Sequence, residues 1–209
     1  MDKNKITGIV LAGGRGSRMG GVDKGLQLYN GTPLAKHAIQ QLKPQVGYLL
    51  INANRNLETY KTWGSEVSAE VVIDELADFA GPLAGFLVGL QQCKTPFLMT
   101  VPCDTPRFPA NLVARLSEAL IQNDADIAMV SSADEEGVLR HQPVFCLMKQ
   151  TLVDSLKAFT DDGGRKIGAW AVQHKLARVN FNEMHDDPKA FYNANTLQDL
   201  QQLSAYEKH

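Results

Sequence analysis

The chain has 209 residues, 44% hydrophobic and 21% charged, with a formal net charge of −2, a length that suits one domain with a substantial buried core. That balance, with a sequence pI near 6.2, argues against the broad basic surface that non-specific nucleic-acid binding requires. No apolar run is long enough to span a membrane, and Met1 to Lys5 leads into a short strand instead of a signal-peptide core, so a cytoplasmic protein is expected.

Ile6 to Val10 reads as a short buried strand that runs straight into a glycine-rich stretch. Leu26 to Tyr29 is extended, Asn30-Gly31 is a tight turn, and Thr32-Pro33 supplies an N-cap and a first helical residue for a helix over Leu34 to Leu42. Val46 to Ile51 is a second strand, and a helix from Asn56 to Trp63 follows, stopped by Gly64. Glu70 to Ile73 is a third strand, and Asp78 to Pro82 turns into a helix over Leu83 to Cys93. Pro96 to Val101 makes a fourth strand. Pro109 to Gln122 is an amphipathic helix with Leu112, Val113, Leu116 and Leu120 on one face, and Asp126 to Ser131 is a fifth strand. Beyond it come a polar surface turn over Ser132 to Gly137, a strand from Pro143 to Met148 and a helix from Gln150 to Phe159. Asp161-Asp162-Gly163-Gly164 breaks that helix and Arg165 to His174 resumes helical spacing. Leu176 to Phe181 is the last strand, and a capped helix starts at Thr196. This alternation predicts an α/β fold, a mostly parallel sheet with helices on both faces in a single domain over residues 1–209.

Cys93, Cys103 and Cys146 are odd in number and contain no C-x-x-C, and the five histidines lack metal-ligand spacing. Neither a disulfide framework nor a structural zinc site is indicated, and Cys103 reads as a small core residue.

The chemistry starts in the stretch Leu11-Ala12-Gly13-Gly14-Arg15-Gly16-Ser17-Arg18-Met19-Gly20-Gly21-Val22-Asp23-Lys24-Gly25, where six of the thirteen residues from Gly13 are glycine. Glycines at the end of a strand let successive backbone N–H groups turn toward one anion, and Arg15, Arg18 and Lys24 outweigh Asp23 in charge. A polyphosphate is the best candidate ligand; the competing reading is a flexible surface loop with solvated arginines. The P-loop pattern fails because Val22 stands where its lysine should be, and the dinucleotide pattern fails because Met19 stands where its last glycine should be.

In an open parallel sheet, ligands bind beyond the carboxyl ends of the strands. The first four strands end respectively in the glycine stretch, in Asn52-Ala53-Asn54-Arg55, at Asp74 and at Asp104, the composition of a nucleotide-plus-metal rim. Asp104, stiffened by Pro102 and Pro106, suits Mg²⁺, which takes one or two protein carboxylates and completes its octahedron with water and phosphate; the competing reading is a turn-capping Asp. Asp74 reads equally as a group for a purine or ribose edge and as a turn cap, and Asn52 as a base contact or a turn former. Lys24 and Arg18 face a triphosphate or are solvated.

The run L-A-G-G-x-x-x-R-M-G-x-x-D-K resembles the signature loop of nucleotidylyltransferases, and this version is most similar to the molybdenum cofactor guanylyltransferases. Val72 to Gly85 and Pro102-Cys103-Asp104-Thr105-Pro106 are similar to further segments of that family. The resemblance implies a Rossmann-like fold of the nucleotide-diphospho-sugar transferase type, its N-terminal half binding GTP and its C-terminal half the acceptor. It implies transfer of GMP from GTP to the terminal phosphate of molybdopterin (Mo-molybdopterin), with release of pyrophosphate. It further implies GTP contacts from Leu11, Ala12, Gly13, Gly14, Lys24, Asn52, Asp74 and Asp104, catalytic roles for Arg18, Lys24 and Asp104, Mg²⁺ on Asp104, and acceptor contacts from Asn193 and Asn195. Arg140, His141, Arg165 and Lys166 are weaker acceptor candidates. Gly14 is expected to leave room for the base. A monomer is expected, with neither nucleic acid nor membrane as partner and with molybdoenzymes or chaperones as recipients of the product.

Two other readings stay open: a nucleotidylyltransferase with a sugar- or alditol-phosphate acceptor, and a GTP-binding regulator without turnover. The presence of both Lys24 and Asp104 leans against the regulator, because a sensor needs neither.

Overall fold

The protein is described from a computed structural model that covers residues 1–14, 22–74, 81–134, 136–194 and 196–206. Arg15, Arg18, the Asp78 to Ala80 part of the expected turn, and Asn195 lie outside the described residues.

The first strand is β1 (Ile6–Leu11). A single 3-10 turn at Lys24–Leu26 follows the glycine stretch. The hairpin β2 (Leu28–Tyr29) and β3 (Thr32–Pro33) is closed by Asn30 and Gly31, both at positive φ (47° and 79°) as its tight turn requires. Then come α1 (Leu34–Leu42), β4 (Tyr48–Asn52), α2 (Leu57–Val67) and β5 (Glu70–Val72). The next pair is α3 (Pro82–Gln92) and β6 (Phe97–Pro102), followed by α4 (Leu112–Gln122) and β7 (Ile127–Ala133). The chain continues through β8 (Leu139–Lys149), α5 (Val153–Asp161), α6 (Ile167–Ala171), β9 (Leu176–Phe181) and α7 (Leu197–Tyr206).

Seven strands form one sheet in the order β5-β4-β1-β6-β8-β7-β9. The pairs β5-β4, β4-β1, β1-β6 and β7-β9 are parallel, and only β8 runs against its neighbours. Alternate strand residues feed two cores. Ile6, Val10, Ile51, Met99, Val101 and Leu147 face α1, α2 and α4, while Ile9, Leu50, Leu98, Met129, Cys146 and Met148 face α3, α5 and α6. Both faces are therefore covered, as the strand–helix alternation predicts. A third, smaller cluster of Tyr29, Leu34, Ala194, Leu200 and Leu203 packs α7 against the β2–β3 hairpin.

Several expected boundaries shift for identifiable reasons. Thr32 and Pro33 pair with Tyr29 and Leu28 as a strand, so Thr32 does not cap α1. Gly64 does not stop α2, which runs to Val67 and ends where Ser68 turns left-handed at φ 56°. Glycine is needed at position 64 for close passage instead, since a Cβ on Gly64 would stand 2.7 Å from the Ala69 carbonyl oxygen of the returning chain. The Arg165 to His174 helix shortens to Ile167–Ala171. Strand β8 begins four residues before Pro143 because Leu139 to Gln142 pair with β7 beyond an irregularity between Met129 and Val130. The expected cap at Thr196 is present: its Oγ1 accepts from the Asp199 N–H at 3.1 Å, and the Asp199 carboxylate accepts from the Thr196 N–H at 2.9 Å.

Candidate functional site

The connection from β5 crosses β4 and β1 to reach β6, so the strand order reverses between β1 and β6, and a crevice opens there at the carboxyl ends. Leu11 and Pro102 lie in register, and the Cys103 N–H continues the ladder to the Leu11 carbonyl at 3.1 Å. On the other side the Ala12 N–H donates to the Asn52 carbonyl (2.8 Å) and the Ala53 N–H to the Val72 carbonyl (3.0 Å). Four strands thus leave the sheet level with one another, and a cleft of about 560 Å³ sits on their ends. Leu11, Ala12, Gly13, Gly14, Lys24, Asn52, Asp74, Asp104 and Asn193 all line it. Arg18 and Asn195 lie outside the described residues.

One end of the cleft is built on Asp74. Asn52 donates through Nδ2 to Asp74 Oδ1 at 2.8 Å, and Asn54 through Nδ2 to Asp74 Oδ2 at 2.7 Å. Asn54 Oδ1 also accepts the Asp74 N–H at 2.9 Å. With one amide on each oxygen, the carboxylate is held at a fixed angle and still has lone pairs to offer. Asn52 is only 2% exposed, and Gly13 and Gly85 crowd its carboxamide from two sides. A Cβ at either glycine would stand 2.8 Å from Asn52 Oδ1, whereas a Cβ at Gly14 would meet nothing within 4 Å among the described residues. The protein itself thus leaves no room for a methyl group at Gly13, a constraint separate from the room that Gly14 is expected to leave for the base.

The other end is built on Asp104. Lys24 Nζ lies 3.3 Å from Asp104 Oδ2, with side chains 21% and 19% exposed. Lys24 rides on its short 3-10 turn, capped by Asp23, which accepts from the Gly25 N–H (3.0 Å), Asn56 Nδ2 (2.9 Å) and the Tyr60 hydroxyl (2.9 Å). Burial, together with the charge and hydrogen bond of Asp23, pushes the Tyr60 hydroxyl far up from its usual range, so it acts as a donor. The C-terminal half docks on the same turn. The Ala194 N–H donates to the Asp104 carbonyl at 2.9 Å, and the Thr105 hydroxyl donates to Asn193 Oδ1 at 2.5 Å.

Of the weaker acceptor candidates, Arg165 turns back onto the Thr160 and Gly164 carbonyls, and Arg140 pairs with Asp134 at 2.9 Å. His141 bonds Ser131 through Nδ1 at 3.0 Å. None of these, nor Lys166, lines the cleft. Gln142, Val144 and Phe145 do. They sit where β8 departs from regular pairing, with the Thr100 hydroxyl closing the irregularity on the Val144 carbonyl at 2.7 Å.

Residues 8–180 match the family described as a MobA-like NTP transferase domain. The chain is 58% identical over 204 residues to the molybdenum cofactor guanylyltransferase of Albidiferax ferrireducens, covering 95% of each chain. It is 57% identical over 208 residues to that of Acidovorax sp. (strain JS42), covering 97% of each. The chain belongs to the molybdenum cofactor guanylyltransferase family. Its fold agrees with a crystal structure of molybdopterin-guanine dinucleotide biosynthesis protein A from Archaeoglobus fulgidus, at a TM-score of 0.76 and 19% identity over 97% of this chain and 98% of that one.

In this guanylyltransferase-family chain the donor set limits what metal the site could hold. Among the described residues no cluster of three or more His, Cys, Asp or Glu is placed to hold an ion. The carboxylate of Asp104 alone fits a hard divalent cation that draws its other ligands from water and a polyphosphate, and it does not fit zinc.

The cleft also brings in residues that the sequence did not single out. Asn54 lies two residues past Asn52, the spacing that returns a side chain to the same face of an extended chain, so its signal was present. Phe145 gave none and Gln142 only its place in the loosely similar Arg140-His141-Gln142-Pro143 stretch, because it is the reversed β8 that brings them to the rim. Cys103 lines the cleft wall yet is 7% exposed, and burial beside Asp104 pushes its thiol far above the usual range. Cys146 is raised by burial alone. A thiol pKa raised this far keeps both groups protonated at neutral pH. Alkylation of the native protein at pH 7.5 is therefore expected to leave Cys103 and Cys146 unmodified, as peptide mass mapping would check.

Proposed function

We propose that this protein transfers GMP from GTP to the terminal phosphate of molybdopterin, giving the guanine dinucleotide form of the cofactor and pyrophosphate. The observation that carries the reading is that the Asn52–Asp74 and Lys24–Asp104 pairs occupy one cleft, an acceptor-rich end and a cationic end for a nucleoside triphosphate. The carboxylate of Asp74 offers acceptors to the ring and exocyclic N–H groups of guanine. The ammonium of Lys24 balances charge gathering on departing pyrophosphate, while the backbone amides of Ala12 to Gly14 lie beside the triphosphate.

Asp104 holds the metal, proposed as Mg²⁺, which when bound supplies charge neutralisation for the phosphoryl oxygens. The acceptor phosphate is already anionic at neutral pH and needs no general base, so the work of these residues is alignment and electrostatics. Asn193, next to Asp104, meets the acceptor from the C-terminal half, and Arg18 and Asn195 keep the roles that the resemblance implies. We place the protein in the cytoplasm as a single-domain monomer that hands its product to molybdoenzymes or their chaperones, with nucleic acid and membrane outside its partners. Among the described residues no helix is long and apolar enough to cross a membrane.

Mass analysis of the product formed from GTP, Mg²⁺ and molybdenum-loaded molybdopterin tests the reading. The expected species carries one added GMP and appears together with pyrophosphate. GTP binding without pyrophosphate release, or release only with a sugar-phosphate acceptor, would overturn it.

A further inference from the structure

Three consecutive residues beyond β4 reach back to the glycine stretch. Asn54 donates through Nδ2 to the Gly13 carbonyl at 3.0 Å, and the Arg55 guanidinium to the Gly14 carbonyl at 2.9 Å. Asn56 donates through Nδ2 to Asp23 Oδ2 at 2.9 Å. The first two hold the entry of the stretch and the third holds its exit. Each end continues to a different part of the cleft. Asn54 also grips Asp74 at both its carboxylate and its N–H. Asp23 caps the turn that carries Lys24, whose ammonium stands 3.3 Å from Asp104.

The chain can do this because Asn56 sits in a left-handed conformation, φ 50° and ψ 36°, immediately before α2, one that asparagine tolerates better than most residues. A carboxamide donates and accepts at once, so Asn54 can tie a carboxylate, an N–H and a carbonyl together, which an acid or an amine of similar length cannot.

From this geometry we infer that Asn54-Arg55-Asn56 is a clasp with two separable duties toward a purine nucleoside triphosphate. Asn54 fixes Asp74 against the entry of the glycine stretch and so sets the choice of base. Asn56, acting through Asp23, aims Lys24 at the phosphates. Both are positioning residues, since each acts through another group. The inference rests on the reading of the cleft as a GTP site.

The test pairs two variants of the full chain. Asn54→Ala is expected to weaken GTP binding by roughly tenfold or more and to narrow the preference for GTP over ATP, moving KM more than kcat. Asn56→Gly keeps the left-handed backbone while deleting the amide. It is expected to preserve the GTP-over-ATP preference, to lower kcat roughly tenfold or more, and to reduce the affinity gained by GTP over guanosine. Calorimetric titration with GTP, ATP and guanosine is read beside pyrophosphate release and thermal melting. If both variants shift base preference, affinity and kcat together, in proportion to lost folded protein, the clasp does nothing beyond holding the fold and the inference is overturned. Should Asn54→Ala not fold, Asn54→Ser carries the same measurement, because a hydroxyl is too short to span the three partners. Variants that show the two binding patterns beside a wild-type protein that releases no pyrophosphate with molybdopterin would sink the proposed activity and leave the clasp standing. Wild-type turnover with unaltered base preference in Asn54→Ala and undiminished kcat in Asn56→Gly would do the reverse.

Discussion

Lys24→Ala is expected to lower the rate of guanylyl transfer by roughly 10²- to 10³-fold, about 3–4 kcal/mol of transition-state stabilisation, with a smaller loss of GTP affinity. The asymmetry follows from where the charge moves. Bound GTP already carries its negative charge, but the bridging oxygen to pyrophosphate gains more as the bond breaks, and a lysine beside it acts mainly on that increment. Stability should barely respond. Lys24 and Asp104 are each about one-fifth exposed, and a pair still in contact with water contributes only about 1 kcal/mol or less. A thermal melt near the wild-type value with a collapsed single-turnover rate would bear this out; equal losses in melting temperature and rate would refute it. Asp104→Asn, which keeps the side chain's shape and removes its charge, is expected to cut activity as deeply. Raising Mg²⁺ should recover part of the loss in Asp104→Asn and none in Lys24→Ala, because only the first removes the proposed metal ligand.

Gly13→Ala is the second change with a large expected effect. A methyl group at that position would stand 2.6 Å from Asn54 Nδ2 and 2.8 Å from Asn52 Oδ1, closer than side-chain atoms pack. Neither carboxamide can retreat freely, since both are bonded to Asp74. Relief must come from moving the Asp74 carboxylate or the backbone, at about 1–3 kcal/mol of stability, and either motion spoils the base end of the cleft. KM for GTP is expected to rise by roughly tenfold or more. Gly85→Ala should behave alike from the opposite side, because its methyl would meet Leu11 Cδ2 at 2.6 Å and Asn52 Oδ1 at 2.8 Å. Gly14→Ala is the control on the protein's own packing, with open space around a Cβ among the described residues, and its melting temperature should match wild type. Turnover of GTP, CTP and ATP by the three variants checks both points, and a Gly13→Ala enzyme with unaltered KM would show that Asn52 does not form the base site.

Local chemistry was written plainly in the chain. Ile6 to Val10 followed at once by Gly13 and Gly14, Asp104 bracketed by Pro102 and Pro106, the Asn30-Gly31 hairpin and the Thr196 cap are all short-range patterns. Each depends on the residues beside it in sequence, and each is found where it was expected. The boundaries that moved did so under long-range pressure: Gly64 is inside its helix because Ala69 returns past it, and Thr32 is a strand residue because Tyr29 pairs with it.

By itself, the sequence determined the alternating α/β class, the phosphate-seeking glycine stretch and the residue types that end each strand. Only the tertiary structure decided which of those ends meet. Lys24 and Asp104 are 80 positions apart, and they become partners because the chain crosses from β5 over β4 and β1 to lay β6 beside β1. The parallel pairing of β4 with β1 and β5 made Gly13 a tight position and gave Asn54 its three partners, and the reversal of β8 brought Gln142 to the rim. Strand order and side-chain pairing depend on burying two sheet faces at once, a sum over distant residues that no local pattern carries.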